Sequence, residues 1–175
     1  MSQQARAVVC RAIGQPVAVE TISVEPPRQG EAMIRLVACG VCHSDLSATN
    51  GTIPFPLPVV LGHEGAGEVI AVGEGVTGLA VGDHVLSSFV SMCGKCRYCQ
   101  SGRPQLCDQA AKAGFTLPDG TTRLRDAAGQ PLNVFSGCGV MAEYATLHVD
   151  NLVRIDAAMP LDKAALIGCG VMTGV

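Results

Sequence analysis

Residues 93–107 of the sequence read CGKCRYCQSGRPQLC and contain four cysteines. Gaps of two, two and seven residues separate Cys93, Cys96, Cys99 and Cys107, so a short loop can bring the four sulfurs together. Zn²⁺ binds four thiolates in a tetrahedron and then has no position left for water. The spacing predicts a structural zinc site whose binding free energy helps to order the loop. Free or disulfide-paired cysteines are one alternative. An iron–sulfur cluster is another, although its usual run ends in a three-residue gap and Cys-Pro.

A second set of possible metal ligands is scattered along the chain. Cys42 lies in CGVCHSD, His63 in GHEGAGEV and Cys169 in IGCGVMTG. Two thiolates and one imidazole leave one zinc position open, which is the arrangement of catalytic zinc. Each residue also has a simpler interpretation, since a buried cysteine commonly behaves as a small hydrophobic residue. Spacing alone does not say that the three side chains meet.

The composition indicates which elements must position these residues. Hydrophobic residues make up 48% of the 175 residues, but aromatic residues only 3% and tryptophan is absent. A core of Val, Ala, Leu and Ile favours short β-strands. Residues 5–24 split at a Gly-Gln-Pro turn into two strands, and residues 31–39 form a third. Three prolines make residues 51–58 a surface loop. Residues 59–86 mix valine and glycine with turn signals every few residues, which predicts the short strands of a barrel or sandwich.

The second half of the chain is less regular. Residues 108–137 are polar and predict a long loop, with strand character only at TTRLR and with Arg123, Arg125 and Asp126 facing solvent. AEYATLHV and NLVRI predict a final pair of strands, and residues 161–175 predict a buried helix. No strand–GxGxxG–helix unit occurs, so a dinucleotide-binding fold is not expected in this chain.

Charge and hydropathy exclude some classes of protein. The net charge is −3 and the isoelectric point is near 5.7, which argues against nucleic-acid binding. No uncharged apolar run reaches the roughly 18 residues of a membrane span. The start MSQQARAVVC does not resemble an export signal, and nine cysteines are an odd number for a disulfide framework. A reducing, cytoplasmic location with metal-bound thiolates is therefore expected.

These motifs together resemble one family. CGVCHSDL, GHEGAGEV, the four-cysteine segment and IGCGVMTG occur in the order and at the separations of zinc-dependent alcohol dehydrogenases of the medium-chain dehydrogenase/reductase superfamily. Residues 113–135 are similar to the insertion of its longer members, the liver-type and formaldehyde-dehydrogenase-like group. The resemblance implies a mainly β, GroES-like twisted barrel over residues 1–160, with a structural zinc lobe at 91–110. Residues 161–175 would begin the linker helix to a Rossmann domain that is absent from this chain.

The resemblance also assigns roles to individual residues. Cys42, His63 and Cys169 match the catalytic zinc ligands, and Cys93, Cys96, Cys99 and Cys107 match the structural zinc ligands. Ser44 matches the hydroxyl that binds the alcohol and passes its proton outward. Asp45 and Glu64 match carboxylates behind the metal, and Asp45 would orient the His63 ring. Thr173 matches a residue at the nicotinamide, and His43 lies where a basic residue approaches the cofactor pyrophosphate.

The implied activity is the reversible oxidation of a small alcohol to an aldehyde or ketone. It needs two zinc ions per chain and NAD or NADP held by the missing domain, so little activity is expected from this chain alone. A homo-oligomer is expected for the full-length enzyme. Where many relatives place a histidine in the proton relay this chain has Ser47, so the relay would run through His43 or water. The few aromatic residues suggest a pocket of aliphatic and Met side chains, with Met141 and Met172 as candidates.

Two alternatives from other classes remain. A non-catalytic zinc-binding module for oligomer contacts would need only the four-cysteine zinc. A zinc-ribbon nucleic-acid binder is disfavoured by the acidic charge balance.

Overall fold

The computed structural model of the chain describes residues 1–110 and 114–175. Ala113, the first residue of the predicted insertion, lies outside the described residues. The described strands are β1 (Gln3–Cys10), β2 (Ala18–Val24), β3 (Glu31–Gly40), β4 (Val59–Val60), β5 (Glu64–Val72), β6 (His84–Ser87), β7 (Leu124–Arg125), β8 (Asn133–Val134), β9 (Tyr144–His148) and β10 (Leu152–Arg154). The helices are α1 (His43–Thr49), α2 (Arg97–Gln100), α3 (Leu161–Ala164) and α4 (Gly170–Gly174). Further 3₁₀ segments cover Pro104–Leu106, Phe135–Gly137, Val149–Asn151 and Ala165–Gly168.

The strands form two five-stranded sheets, which confirms the prediction of a mainly β fold with short helices. The first sheet has the order β7-β2-β1-β4-β8 and the second has the order β10-β6-β5-β3-β9. Nearly all neighbours are antiparallel, and β4 and β8 are parallel. The predicted pair within residues 5–24 is confirmed as the β1–β2 hairpin, with Gln3 opposite Val24 and Val9 opposite Ala18.

The longest strands form the centre of the second sheet. β3 pairs with β5 on one side and with β9 on the other. The β3–β5 ladder contains two register shifts, which bend the pair. Gly67 allows this close approach, because a Cβ atom there would lie 2.1 Å from the Arg35 carbonyl oxygen. The bent pair leads from the middle of the sheet to the segments before α1 and β5.

The core consists of small and branched aliphatic residues, as the composition predicts. One cluster lies on the first sheet and includes Val9, Ile22 and Leu132. A second lies on the other sheet and includes Ile34, Val69 and Leu147. These side chains are at most 1% exposed, and their burial supplies the main favourable free energy of folding.

The strands predicted in AEYATLHV and NLVRI are both present, but they do not pair with each other. β9 pairs with β3 and β10 pairs with β6, so the two strands lie at opposite edges of the second sheet. The 3₁₀ turn Val149–Asn151 carries the chain from one edge strand towards the other.

The prediction of one buried helix over residues 161–175 is wrong. The segment consists of α3, a 3₁₀ turn and α4, and α4 contains no buried residue. The break falls at Cys169, whose φ of −143° is not helical. Gly168 lies against the end of β6, where a Cβ atom would be 2.0 Å from the Ser87 carbonyl oxygen.

The prediction that Arg123 faces solvent is also wrong. Its side chain is buried and donates two hydrogen bonds to Glu31, from Nε at 2.9 Å and from Nη2 at 2.6 Å. Asp119 and Thr121 accept further bonds from the same guanidinium. This ion pair joins the insertion to the start of β3.

Within the described residues, no helix has both the length and the apolar character that crossing a membrane requires.

Candidate metal centres

The first candidate centre begins where β3 ends and α1 starts. Cys42 is the N-cap residue of α1, and its backbone N–H donates to Asp45 Oδ2 at 3.0 Å. The other Asp45 oxygen accepts from the Gly62 N–H at 3.0 Å. The buried carboxylate thus fixes the start of α1 against the segment that leads to His63, although the two parts are distant in sequence.

His63 lies just before β5, and its side chain is completely buried. The Ser87 hydroxyl donates to the His63 carbonyl oxygen at 2.8 Å and accepts from the Gly65 N–H, which fixes the backbone. Neither ring nitrogen has a hydrogen-bond partner in the described part of the chain. Asp45 Oδ1 lies 3.5 Å from Nδ1, an electrostatic contact rather than a directed hydrogen bond. A buried imidazole whose nitrogens lack hydrogen-bond partners lowers the stability of the fold, so we expect the His63 ring to bind a ligand.

Cys169 reaches the same place from the C-terminal segment. Its Sγ lies 4.0 Å from the Cys42 Sγ, across 127 residues of sequence. Glu64 Oε1 accepts from the Gly170 N–H at 3.1 Å and so attaches this segment to β5. Donor atoms of four residues all lie within 4.8 Å of one another, those of Cys42, His63, Glu64 and Cys169.

These donors fit a zinc ion. Zinc–thiolate bonds of about 2.3 Å place two sulfurs of a tetrahedron about 3.8 Å apart, close to the observed Cys42–Cys169 separation of 4.0 Å. The partnerless His63 nitrogens supply the donor type that accompanies two thiolates in open zinc sites. The set of donor atoms and the lack of hydrogen-bond partners at the His63 ring together support a metal ion at this position.

The environment of the cluster shifts the pKa values of Cys42, His63 and Cys169 in different directions. Burial raises the pKa of Cys42, but hydrogen bonds from Ser44 and the contact with His63 outweigh burial and lower it. Burial lowers the pKa of His63, but the Asp45 carboxylate outweighs burial and raises it. Burial and the neighbouring Cys42 raise the pKa of Cys169 to about 11. Cys42 is therefore the more readily ionised thiol of the pair, and the thiolate is the form that binds metal.

The other predicted site residues surround this cluster. Ser44 Oγ lies 3.6 Å from Cys42 Sγ, and Thr173 Oγ1 lies 3.9 Å from Cys169 Sγ. His43 is exposed at the start of α1. Its Nδ1 lies 3.3 Å from the Ser47 hydroxyl, so the residue in the usual relay position contacts His43 directly.

A cavity of about 530 Å³ opens beside Cys169. Phe89, Val153, Met172 and Thr173 are among its lining residues. The expected wall of aliphatic and Met side chains is thus only partly correct, because Phe89 lines the cavity and Met141 is not among its lining residues.

Sequence reasoning missed the aromatic residues around His63. The Phe89 and Phe135 rings lie 4.9 and 5.4 Å from the imidazole. Phe55 contacts Phe135 at 4.5 Å and Phe115 at 4.8 Å, so all four phenylalanines of the chain are connected. No local motif marks these residues. The only signal in the sequence is the scarcity of phenylalanine itself.

The second candidate centre is the four-cysteine segment. The sulfurs of Cys93, Cys96, Cys99 and Cys107 all lie within 4.8 Å of one another. No disulfide is formed by any of the nine cysteines. Backbone N–H groups point at these sulfurs, including those of Cys93 and Gln109 at 3.4 Å from Cys107 Sγ. Hydrogen bonds from Cys99 and Asp108 lower the pKa of Cys96 to about 6, while burial and the neighbouring thiols raise the pKa of Cys99 to about 12. This donor set fits a closed tetrahedral zinc.

Fold and clusters together define a mainly β domain with two sets of metal-donor side chains, one beside a cavity and one within a single segment. The family model of the alcohol dehydrogenase GroES-like domain matches residues 28–157. S-(hydroxymethyl)glutathione dehydrogenase of Synechocystis is 41% identical over 98% of this chain and 47% of its own length. The chain therefore belongs to the zinc-dependent alcohol dehydrogenases of the medium-chain dehydrogenase/reductase superfamily, as the motifs predict.

Solved structures agree with this assignment. A zinc-binding domain protein of the alcohol dehydrogenase type from Burkholderia ambifaria has a TM-score of 0.93 at 40% identity, over 99% of this chain and 48% of its own. Benzyl alcohol dehydrogenase from Acinetobacter calcoaceticus has a TM-score of 0.83 at 33% identity, over 98% of this chain and 46% of its own. The GroES-like fold prediction is confirmed. The chain spans about half the length of these relatives.

Proposed function

We propose that this chain is the catalytic domain, residues 1–160 with the following segment, of a zinc-dependent alcohol dehydrogenase. The observation that carries the proposal is that the side chains of Cys42, His63 and Cys169 meet although they come from three distant segments. The His63 ring among them is buried and has no hydrogen-bond partner within the described residues. This cluster opens beside an apolar cavity through Cys169. A closed structural site would not need such access.

In this proposal the three side chains hold one zinc ion, and the four cysteines of residues 93–107 hold a second. When bound at the open site, zinc supplies a Lewis acid that lowers the pKa of a hydroxyl group. Ser44 Oγ holds the proton of the alcohol and passes it outward. Asp45 and Glu64 position the segments that carry His63 and Cys169, through their bonds to Gly62 and Gly170.

The reaction also needs a hydride acceptor, because zinc has no redox chemistry. We assign this role to NAD or NADP, held by a further domain of the complete enzyme. Thr173 lines the cavity and would contact the nicotinamide end, and exposed His43 would approach the pyrophosphate. The contact between Ser47 and exposed His43 supports His43 as the outer end of the proton relay.

The substrate is a small alcohol or aldehyde. Two relatives are named for S-(hydroxymethyl)glutathione and for benzyl alcohol, which supports an alcohol as the substrate class. The acidic composition gives no reason to expect nucleic acid as a partner, and a homo-oligomer in a reducing, cytoplasmic compartment completes the proposal.

Metal analysis of the purified chain tests this function. We expect two zinc ions per wild-type chain and one in Cys169→Ser, because only the open site loses a ligand. Cys39→Ser is the matched control, since Cys39 is also half-buried and forms a CxxC pair with Cys42 but lies outside the cluster. If Cys169→Ser kept both ions, the assignment of this ligand would be wrong. One zinc in the wild-type chain would favour a non-catalytic module instead.

A further inference from the structure

The turn at Phe135–Gly137 has an unusual backbone. Ser136 has φ of 54°, the only positive φ of a non-glycine residue in the described chain. Gly137 and Gly139 follow with φ of 68° and 62°. A left-handed conformation is strained at a residue with a Cβ atom and persists only where the surroundings hold it.

The Ser136 side chain has a specific partner. It is 5% exposed, and its hydroxyl donates to the Phe89 carbonyl oxygen at 3.1 Å across 47 residues of sequence. The neighbouring Cys138 Sγ lies 3.5 Å from the Ser88 carbonyl oxygen. The turn therefore holds the backbone of the segment that follows β6, where Phe89 lies outside regular secondary structure.

Phe89 needs such support more than the other ring at the imidazole. Phe135 is fully buried, so packing fixes it, but Phe89 is 37% exposed and faces the cavity. The centroids of the two rings lie 6.4 Å apart, and both rings contact the His63 imidazole. Small movements of the Phe89 backbone would change the width of the cavity next to the candidate metal centre.

We propose that Ser136 is a positioning residue, which sets the place of the Phe89 ring through its hydroxyl and thereby the shape of alcohol that the cavity accepts. The strained backbone aims this hydroxyl at the Phe89 carbonyl, and the hydrogen bond offsets part of the strain. The part that concerns the alcohol rests on the proposed function. The part that concerns Phe89 does not.

Fluorine NMR tests the positioning directly, because 4-fluorophenylalanine labels only four positions in this chain. The zinc-loaded chain is compared with Ser136→Ala, which keeps the strain and removes the hydroxyl, and with Ser136→Gly, which removes both. Phe89→Leu assigns the Phe89 signal. We expect both Ser136 variants to shift the Phe89 signal in the same direction and to leave the Phe115 signal in place.

Thr146→Val is the matched control, because it removes another buried hydroxyl that donates to a backbone carbonyl, that of Glu25 at 3.0 Å. It should leave the Phe89 signal unchanged. An unshifted Phe89 signal in both Ser136 variants would overturn the proposal. A shift in Ser136→Ala without one in Ser136→Gly would assign the effect to strain, and this result would overturn it too.

The same label reports on binding when the zinc-loaded chain is titrated with benzyl alcohol or ethanol. We expect Ser136→Ala to change the ratio of the two dissociation constants, because the Phe89 ring lines the cavity. An unchanged ratio would overturn the specificity role. A wild-type chain that binds neither alcohol would count against the proposed function, while the fluorine shift would still decide the role of Ser136 in placing Phe89.

Discussion

Arg123 and His63 are buried because of contacts with residues that are distant in sequence. Arg123 is buried only because Glu31 and Asp119 surround its guanidinium, and His63 is buried against two phenylalanine rings. A buried charge without partners would be strongly unfavourable, so each such residue implies a partner. The polar character of the insertion gave no sign of this burial.

Asp119 should make the stability of the chain depend on acid pH. Partial burial raises its pKa, but hydrogen bonds from Arg123 and Thr121 outweigh burial and hold the pKa at about 2, below the ordinary 3.8. A depressed carboxyl pKa stabilises the fold above the unfolded value, and this contribution is lost as the pH falls through the folded value. We expect the difference in unfolding free energy between wild type and Asp119→Asn to shrink between pH 3.8 and about 2. Urea unfolding at several pH values measures it, and a difference that stays constant over this range would contradict the assignment.

At the scale of elements, the candidate metal centre depends on where short segments begin and end. Cys42 caps α1, His63 precedes β5, and Cys169 lies at the break between a 3₁₀ turn and α4. Each candidate ligand thus lies at the end of an element, where the backbone turns and a side chain can point inward. The rigid sheet behind them keeps the three ends together.

Gly168→Ala should disturb one of these ends. An added Cβ atom would lie 2.0 Å from the Ser87 carbonyl oxygen, so the backbone before Cys169 must move. We expect the variant to bind one zinc ion instead of two and to lose about 1–3 kcal/mol of unfolding free energy. Gly174→Ala is the control in the same segment, because nothing lies within 4 Å of its added Cβ atom. Metal analysis and thermal unfolding give both quantities, and full zinc content in Gly168→Ala would be the contrary result.

At the scale of the whole molecule, the insertion is part of the fold rather than an appendage. β7 pairs with β2 and β8 pairs with β4, so the insertion supplies both edges of the first sheet. Arg123 ties it to β3 of the second sheet, and Phe115 joins the aromatic residues that lead to His63. The insertion therefore connects both sheets with the candidate metal centre.

Glu31→Gln should weaken the contact between the insertion and β3 and lower the free energy of unfolding. It leaves Asp119 as the remaining anionic partner of the buried Arg123 charge, and the weakened charged hydrogen bonds cost about 1–3 kcal/mol. Glu143→Gln is the matched control, since Glu143 accepts from Arg6 Nε and Nη2 at the same 2.9 and 2.6 Å, but at the surface, where solvent screens the pair. Chemical unfolding should show a much larger loss for Glu31→Gln, and equal losses would contradict a structural role of the buried pair.

The sequence by itself determined the features that depend on residues close together in the chain. The spacing of Cys93, Cys96, Cys99 and Cys107 predicts a cluster because four sulfurs in one short loop meet whatever the rest of the chain does. Likewise, the turn between β1 and β2 fixes their antiparallel pairing. The family motifs added Cys42, His63 and Cys169 as candidate zinc ligands, through resemblance and not through geometry.

Only the tertiary structure decided what depends on distant contacts. The 4.0 Å approach of Cys42 and Cys169, the burial of Arg123 and the position of Phe89 under the control of Ser136 follow from strand pairing and from packing between segments. Such contacts are set by the sum of many weak interactions over the whole fold. No short stretch of sequence contains that sum.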